Sequence, residues 1–370
     1  MDGKGKKHKK QGKDRTAEQE LSAEKVRTVI KEQKPRRLTE HTGMSEGRKL
    51  CERIEEVAMA EFPIDERLVI QKHRLTPASG NCTSGKRICI VTGIHGDELE
   101  GQYVCFELTR RIREQPEALC GIVDIYPAMN PIGIDSITRG IPAFDLDMNR
   151  IFPGNSYGDM NEYLASEIME DCAGAELCVD IHASNIFLTE VPQIRINELH
   201  KNELVPVAKK ANMDLIWVHG SSTVLESTFA YSLNHRGVKT LVVEMGVGMR
   251  ITREYGDQLT DGIFSMMAEL GIWKGKVPKV KKPVIAYDEQ GQDVCYLNAP
   301  VSGVFLKEKE AGTMVKCGEP IGRIVDALTG IVLSTIAAPV DGWLFTTREY
   351  PIVDEGSLMG RILKKEYLGK

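Results

Sequence analysis

Nowhere does this chain hold the roughly 20 consecutive apolar residues that a membrane-spanning helix requires, and its N-terminus lacks the apolar core of a secretory signal. These absences predict no membrane partner and a cytoplasmic location. A large charge excess is also missing. The 48 lysines and arginines against 53 aspartates and glutamates leave a formal charge of −5, so no general attraction to nucleic acid is expected. The nine cysteines include no CxxC pair, which argues against a cysteine zinc site or a disulfide framework and predicts reduced, mostly buried thiols.

What is present is enough apolar sequence for a large core: 370 residues, 42% hydrophobic and 27% charged, a length that favours two domains over one. Residues 1–50 read as a tail. Six lysines and one arginine fall within the first 15 residues, too polar to offset the entropy of folding, and Ala17 to Lys34 carries only a partial helical face (Leu21, Val26, Val29, Ile30). Order is expected to begin near Cys51. From Arg87 onward, short apolar runs alternate with helical patterns. Strand-like Arg87–Ile94, Gly121–Tyr126, Leu177–Ile181, Leu215–Val218 and Thr240–Val243 are separated by helical stretches near 160–172, 199–211, 223–236 and 252–271. This alternation predicts a three-layer α/β domain over 51–282, with a mixed, mainly parallel sheet between helices.

Beyond Lys282 the helical pattern stops and short β-like runs with glycine turns take over. Ala299-Pro-Val-Ser-Gly303 returns as Ala338-Pro-Val-Asp-Gly342, and Gly318-Glu-Pro-Ile-Gly322 as Gly356-Ser-Leu-Met-Gly360. Two elements repeated in the same order predict a duplicated, all-β barrel-sandwich over 283–370, similar to lipoyl and biotinyl carriers. A carrier needs a lysine at the hairpin between the halves, and none occurs between Lys316 and Lys364, so a structural or site-covering role is expected.

The chemistry concentrates where apolar strands end, which is where an open α/β sheet places its ligands. Gly93-Ile-His95-Gly-Asp-Glu98 sets an imidazole and a carboxylate three residues apart across a turn, and Leu177-Cys-Val-Asp180-Ile-His182 ends a second buried run in histidine. His95, Glu98 and His182 make a nitrogen and oxygen donor set of the kind zinc accepts, with one position left for water. Asp180 falls on the same face of its strand as His182 and is expected to orient a ligand. Metal-assisted hydrolysis also needs a carboxylate to move the proton, and Glu244, closing the apolar run Thr240-Leu-Val-Val-Glu244, is the candidate, because a carboxylate there needs a compensating reason. Arg150 and Asn149, in Asp147-Met-Asn-Arg, form a candidate clamp for a substrate carboxylate. Arg139 and Arg195 are further candidates, Arg195 also as a polariser of the scissile carbonyl.

These segments resemble the succinylglutamate desuccinylase/aspartoacylase family, related in fold to zinc carboxypeptidases, over roughly residues 85–365. Gly93-Ile-His95-Gly-Asp-Glu98 is similar to the family's first metal motif and Asp147-Met-Asn149-Arg150 to its Asn-Arg substrate motif. Asp180-Ile-His182 resembles its second metal segment and Val243-Glu244-Met-Gly246 its catalytic-glutamate segment. The resemblance implies one zinc per chain and a water activated by Glu244 to attack the carbonyl of an N-acyl amino acid, whose carboxylate Arg150 and Asn149 grip. Aspartoacylases proper carry a further arginine shortly before the catalytic glutamate; here that position is Asn234, and the acyl group and amino acid stay open. So does association into a homo-oligomer. A metallocarboxypeptidase or peptide amidase would use the same donor set, although a β domain covering the cleft would obstruct a long peptide. A third reading is a non-catalytic protein that binds a small carboxylate.

Overall fold

A computed structural model describes residues 50–78, 83–220 and 226–368. The expected basic tail and weak helix lie outside the described residues. The described residues open with β1 (Leu50–Glu61) and β2 (Arg67–Pro77). The elements that follow are β3 (Arg87–Thr92), α1 (Glu100–Glu114), β4 (Ile122–Tyr126), α2 (Pro131–Ser136), α3 (Met160–Cys172), β5 (Leu177–Ala183), β6 (Leu188–Asn197), α4 (Lys201–Ala208), β7 (Leu215–His219), α5 (Phe229–His235), β8 (Thr240–Gly246) and α6 (Arg253–Glu269).

Strands β4, β3, β5 and β8 are mutually parallel neighbours in that order. The β1–β2 hairpin joins β4 antiparallel at one side, and β6 joins β8 antiparallel at the other. Helices cover both faces because the central strands are apolar on both. Ile88 and Ile90 of β3 pack with Val104 and Leu108 of α1 and Leu259 and Ile263 of α6, whereas Cys89 and Val91 pack with Leu164 and Ile168 of α3 and Phe229 and Leu233 of α5. Each fully buried aliphatic side chain contributes roughly 1.5–3 kcal/mol. Asp159 and Glu162 form a reciprocal capping box that starts α3, and α1 stops at Gln115 because Pro116 disfavours helical backbone in the residue before it.

The C-terminal strands are β9 (Val284–Asp288), β10 (Val294–Asn298), β11 (Gly303–Lys307), β12 (Thr313–Val315), β13 (Pro320–Asp326), β14 (Ile331–Ala337), β15 (Gly342–Arg348), β16 (Ile352–Val353) and β17 (Leu358–Lys364). The sequence duplication is a duplication of hairpins. Ala299–Gly303 and Ala338–Gly342 lead into β11 and β15, while Gly318–Gly322 and Gly356–Gly360 lead into β13 and β17; β11 pairs antiparallel with β13, and β15 with β17. A four-stranded sheet, β14-β13-β11-β16, packs against β10, β17 and β15 over a core that includes Phe305, Ile324, Leu344 and Ile362. The main sheet runs on into this region, since β9 pairs with β7 and β15 pairs with β6.

No helix among the described residues is long and apolar enough to cross a membrane. Among the described residues seven cysteines carry free thiols, but Cys120 is disulfide-bonded, which corrects the expectation of reduced thiols.

Candidate active site

Parallel pairing of β3, β5 and β8 brings their C-terminal ends to one edge of the sheet, with Thr92 opposite Ile181 and His182 opposite Glu244. After β3 the chain turns through Gly93, whose φ of +69° suits glycine. Gly96 then crosses the backbone of α2 and the loop that follows it, where a Cβ would lie 2.0 Å from the carbonyl carbon of Gly133. That crossing carries His95 and Glu98 inward and sets Arg139 beside them. Gly96→Ala is therefore expected to push the two loops apart, lowering stability by about 1–3 kcal/mol and weakening metal affinity; denaturant unfolding and a metal titration would read both.

The three expected ligands converge. His95 Nδ1 lies 2.8 Å from Glu98 Oε1 and 3.2 Å from His182 Nδ1, and His182 Nδ1 lies 3.0 Å from Glu98 Oε2. All three side chains are buried, and their donor atoms fall within 4.8 Å of one another. The outer ring nitrogens face carboxylates: His95 Nε2 is 3.1 Å from Asp147 Oδ1, and His182 Nε2 is 3.1 Å from Asp180 Oδ1. A carboxylate behind each imidazole fixes its tautomer and aims Nδ1 at a shared centre, so the donor set and its supports fit a divalent metal ion. Burial pushes the Glu98 carboxyl up, but the two imidazoles outweigh it and hold Glu98 below the usual carboxylate range. The His95 ring is pushed down by burial and pulled above its ordinary value by Glu98 and Asp147.

Asp180, expected to orient a ligand, lies 3.1 Å from the His182 ring. Asp147 was legible only as part of the Asn-Arg motif, and its contact with His95 was not. Asp147→Asn keeps the shape and removes the charge, so about 10- to 100-fold weaker metal binding is expected, readable by competition with a chromophoric chelator.

Glu244 is largely buried. Burial, with help from the Glu190 charge, raises its pKa from 4.5 to about 7 against the opposing pull of Arg195, whose Nη1 lies 3.2 Å from Glu244 Oε1. A carboxyl poised there can take and return a proton near neutral pH.

The arginines divide by their commitments. Arg139 donates from Nη1 to Glu98 Oε1 at 2.8 Å and also approaches Asp147, so it belongs to the surroundings of the ligands. Arg195 is bound to Glu190 and Glu244. Arg150 is 41% exposed; it donates to the Asn149 carbonyl at 2.8 Å and stays 3.7 Å from Asp147, which leaves it the least committed. Asn149 Oδ1 accepts from the Phe229 backbone N–H at 2.8 Å, so only its amide nitrogen remains for a ligand. Asn234 spends both ends of its amide on the backbone of Thr240. It anchors the start of β8.

These residues line a cavity of about 330 Å³ whose wall includes Arg150, Asn149, Glu244, Arg195 and, from β17, Arg361. That size suits a small molecule. Glu190 and Arg361 were not read from the sequence. The available signal was a charged residue inside each of two strand-forming apolar segments.

The sequence model of the succinylglutamate desuccinylase/aspartoacylase catalytic domain matches residues 84–270, just over half of the chain. An N-alpha-acetyl-L-2,4-diaminobutyric acid deacetylase from Halomonas elongata is 24% identical over 276 residues, covering 72% of this chain and 78% of its own. The product-bound ectoine utilization protein EutE (DoeB) from Ruegeria pomeroyi shares the fold at a TM-score of 0.71 and 18% identity, over 90% of this chain and 99% of its own. A succinylglutamate desuccinylase/aspartoacylase from Rhodobacter sphaeroides superposes at a TM-score of 0.70 with 22% identity, over 86% of this chain and 97% of its own.

Proposed function

Because this chain belongs to the succinylglutamate desuccinylase/aspartoacylase family, we propose that it is a zinc-dependent amidohydrolase that removes the acyl group from a small N-acyl amino acid. The observation that carries this reading is the convergence of His95, Glu98 and His182 within 4.8 Å beside a carboxyl, Glu244, whose pKa is raised to about 7. Zinc held by those three side chains would supply Lewis acidity, polarising the scissile carbonyl and making water nucleophilic near neutral pH.

The remaining steps belong to the protein. Arg150, with the Asn149 amide nitrogen, binds the substrate carboxylate and sets the amide in the cavity. Glu244 takes the proton of the attacking water and delivers it to the leaving nitrogen, so that one carboxyl serves as base and then as acid. Arg139, held against Glu98, presents a fixed positive charge beside the reacting carbonyl, where negative charge develops on oxygen. Asp147 and Asp180 keep the two imidazoles aimed.

Each carboxylate lining the cavity already faces a partner: Glu98 the imidazoles, Asp180 His182, Glu190 two guanidiniums and Glu244 Arg195. A side-chain ammonium such as that of diaminobutyrate would have to compete with one of these partners, which favours substrates with neutral or acidic side chains. The test is metal analysis of the purified protein together with amide hydrolysis of N-acetyl and N-succinyl amino acids. About one zinc per chain and release of the free amino acid are expected. Zinc without turnover on any of them, or trimming of peptides longer than a dipeptide, would overturn the reading.

A further inference from the structure

The charges between the cavity and the C-terminal strands outnumber those that a single glutamate base requires. Glu190 of β6 is fully buried at the seam where Glu190 pairs in register with Thr346 of β15. Its Oε2 accepts from Arg195 Nη2 at 2.6 Å, and its Oε1 accepts from Arg361 Nη1 at 2.6 Å and from Thr346 Oγ1 at 3.0 Å. The second arm of Arg195 reaches Glu244, with Nη1 3.2 Å from Oε1. Both guanidiniums pack over the Trp217 ring, 5.8 and 5.7 Å from its centroid, and Arg361 also sits 5.7 Å from the Tyr296 ring. The result is an alternating row of guanidiniums and carboxyls, Arg361, Glu190, Arg195, Glu244.

An arginine on a cavity wall with both arms free closes on a carboxylate in bidentate fashion. Against Glu244 such a fork would occupy both oxygens and leave none for a proton. Glu190 takes one arm of Arg195 through Nη2, and the other arm, Nη1, meets Glu244 at Oε1. A fully buried carboxylate is costly unless it is paired, and Arg361 gives Glu190 a second cationic partner at the seam, 2.6 Å from Oε1. We propose that Glu190 and Arg361 are positioning residues for Glu244, holding Arg195 to one oxygen of the base and leaving the other for the proton, which makes the C-terminal strands part of the catalytic apparatus. This rests on Glu244 being the base. It also turns Arg195 from a substrate clamp into a support for that base.

The experiment compares zinc-loaded parent, Glu190→Gln, Arg361→Met, Arg361→Lys and the double variant Glu190→Gln/Arg361→Met on whichever N-acyl amino acid the parent cleaves. Zinc content and thermal midpoint are measured alongside. Each of Glu190→Gln and Arg361→Met is expected to lower kcat by about 10- to 100-fold, the scale of a misplaced catalytic group, with KM and zinc content unchanged. Arg361→Lys should keep most of the parent kcat, and the double variant should lose no more than the worse single, because the two residues act as one unit. A rise in KM at unchanged kcat would overturn the proposal by making the pair a substrate contact. So would losses that multiply in the double variant, or a fall in kcat that tracks the thermal midpoint in every variant. A parent that cleaves none of the panel would fail earlier, overturning the proposed function and this inference with it.

Discussion

Replacing Glu244 by glutamine is expected to lower turnover by about 10²–10⁴-fold, the usual worth of a positioned general base, while the zinc content stays at that of the parent. Glutamine keeps the size and the polar contact with Arg195 but can neither take nor return a proton. The pH behaviour should change with it. In the parent, the base must be unprotonated, so hydrolysis rises with pH as Glu244 ionises. Its pKa is raised from 4.5 to about 7 by burial, opposed by Arg195 and reinforced by Glu190, and a cation on the neighbouring ligands would pull the inflection down from that value. The rising limb is therefore expected between 4.5 and about 7.

Stability carries the opposite sign. Between 4.5 and about 7 the unfolded chain has released the Glu244 proton while the folded chain still holds it, so raising the pH destabilises the metal-free fold, by roughly 3 kcal/mol at most across the interval. Glu244→Gln removes that titration, and urea unfolding of the metal-free proteins should show a flatter pH dependence for the variant. Undiminished turnover in Glu244→Gln would end the assignment of Glu244 as base. A pH slope identical to that of the parent would mean that Glu244 is not held protonated by burial.

The parts of the fold that were legible in the sequence are those whose residues meet the same apolar surroundings all along an element. Apart from Asp180 and Thr240, Leu177 to Ile181 and Thr240 to Val243 are apolar on both faces because helices cover both, and they lie within β5 and β8. The ligands stood out because each follows such a run. Strand β6 was hidden for physical reasons. Glu190, Pro192, Gln193 and Arg195 break its apolar pattern, since its pocket side carries the buried charges and a register shift falls between Glu190 and Gln193, a place where a strand tolerates proline. Arg361 was hidden too. It belongs to β17, some 170 residues from Glu190 along the chain, and only the pairing of β15 with both β6 and β17 brings them together.

His182→Ala is expected to remove the metal and, with it, the reaction. Two donors, His95 and Glu98, would remain on one loop, with nothing from β5 to close the set. Lewis acidity accounts for several kcal/mol of the barrier, and each 1.4 kcal/mol or so is a factor of ten in rate, so a loss of about 10³–10⁵ in turnover follows. The same change strands Asp180, which is 1% exposed and 3.1 Å from the imidazole. Removing one member of a buried pair costs about 3–5 kcal/mol, so the variant must first be shown to be folded. Chelation of the parent separates the two effects, because it leaves every side chain in place. Loss of turnover on chelation, recovered by added zinc, together with zinc-free His182→Ala that still unfolds cooperatively, would place the reaction on the His95, Glu98 and His182 centre. A full complement of zinc in His182→Ala would mean that the ion sits elsewhere, and the convergence of these three side chains would then need another explanation.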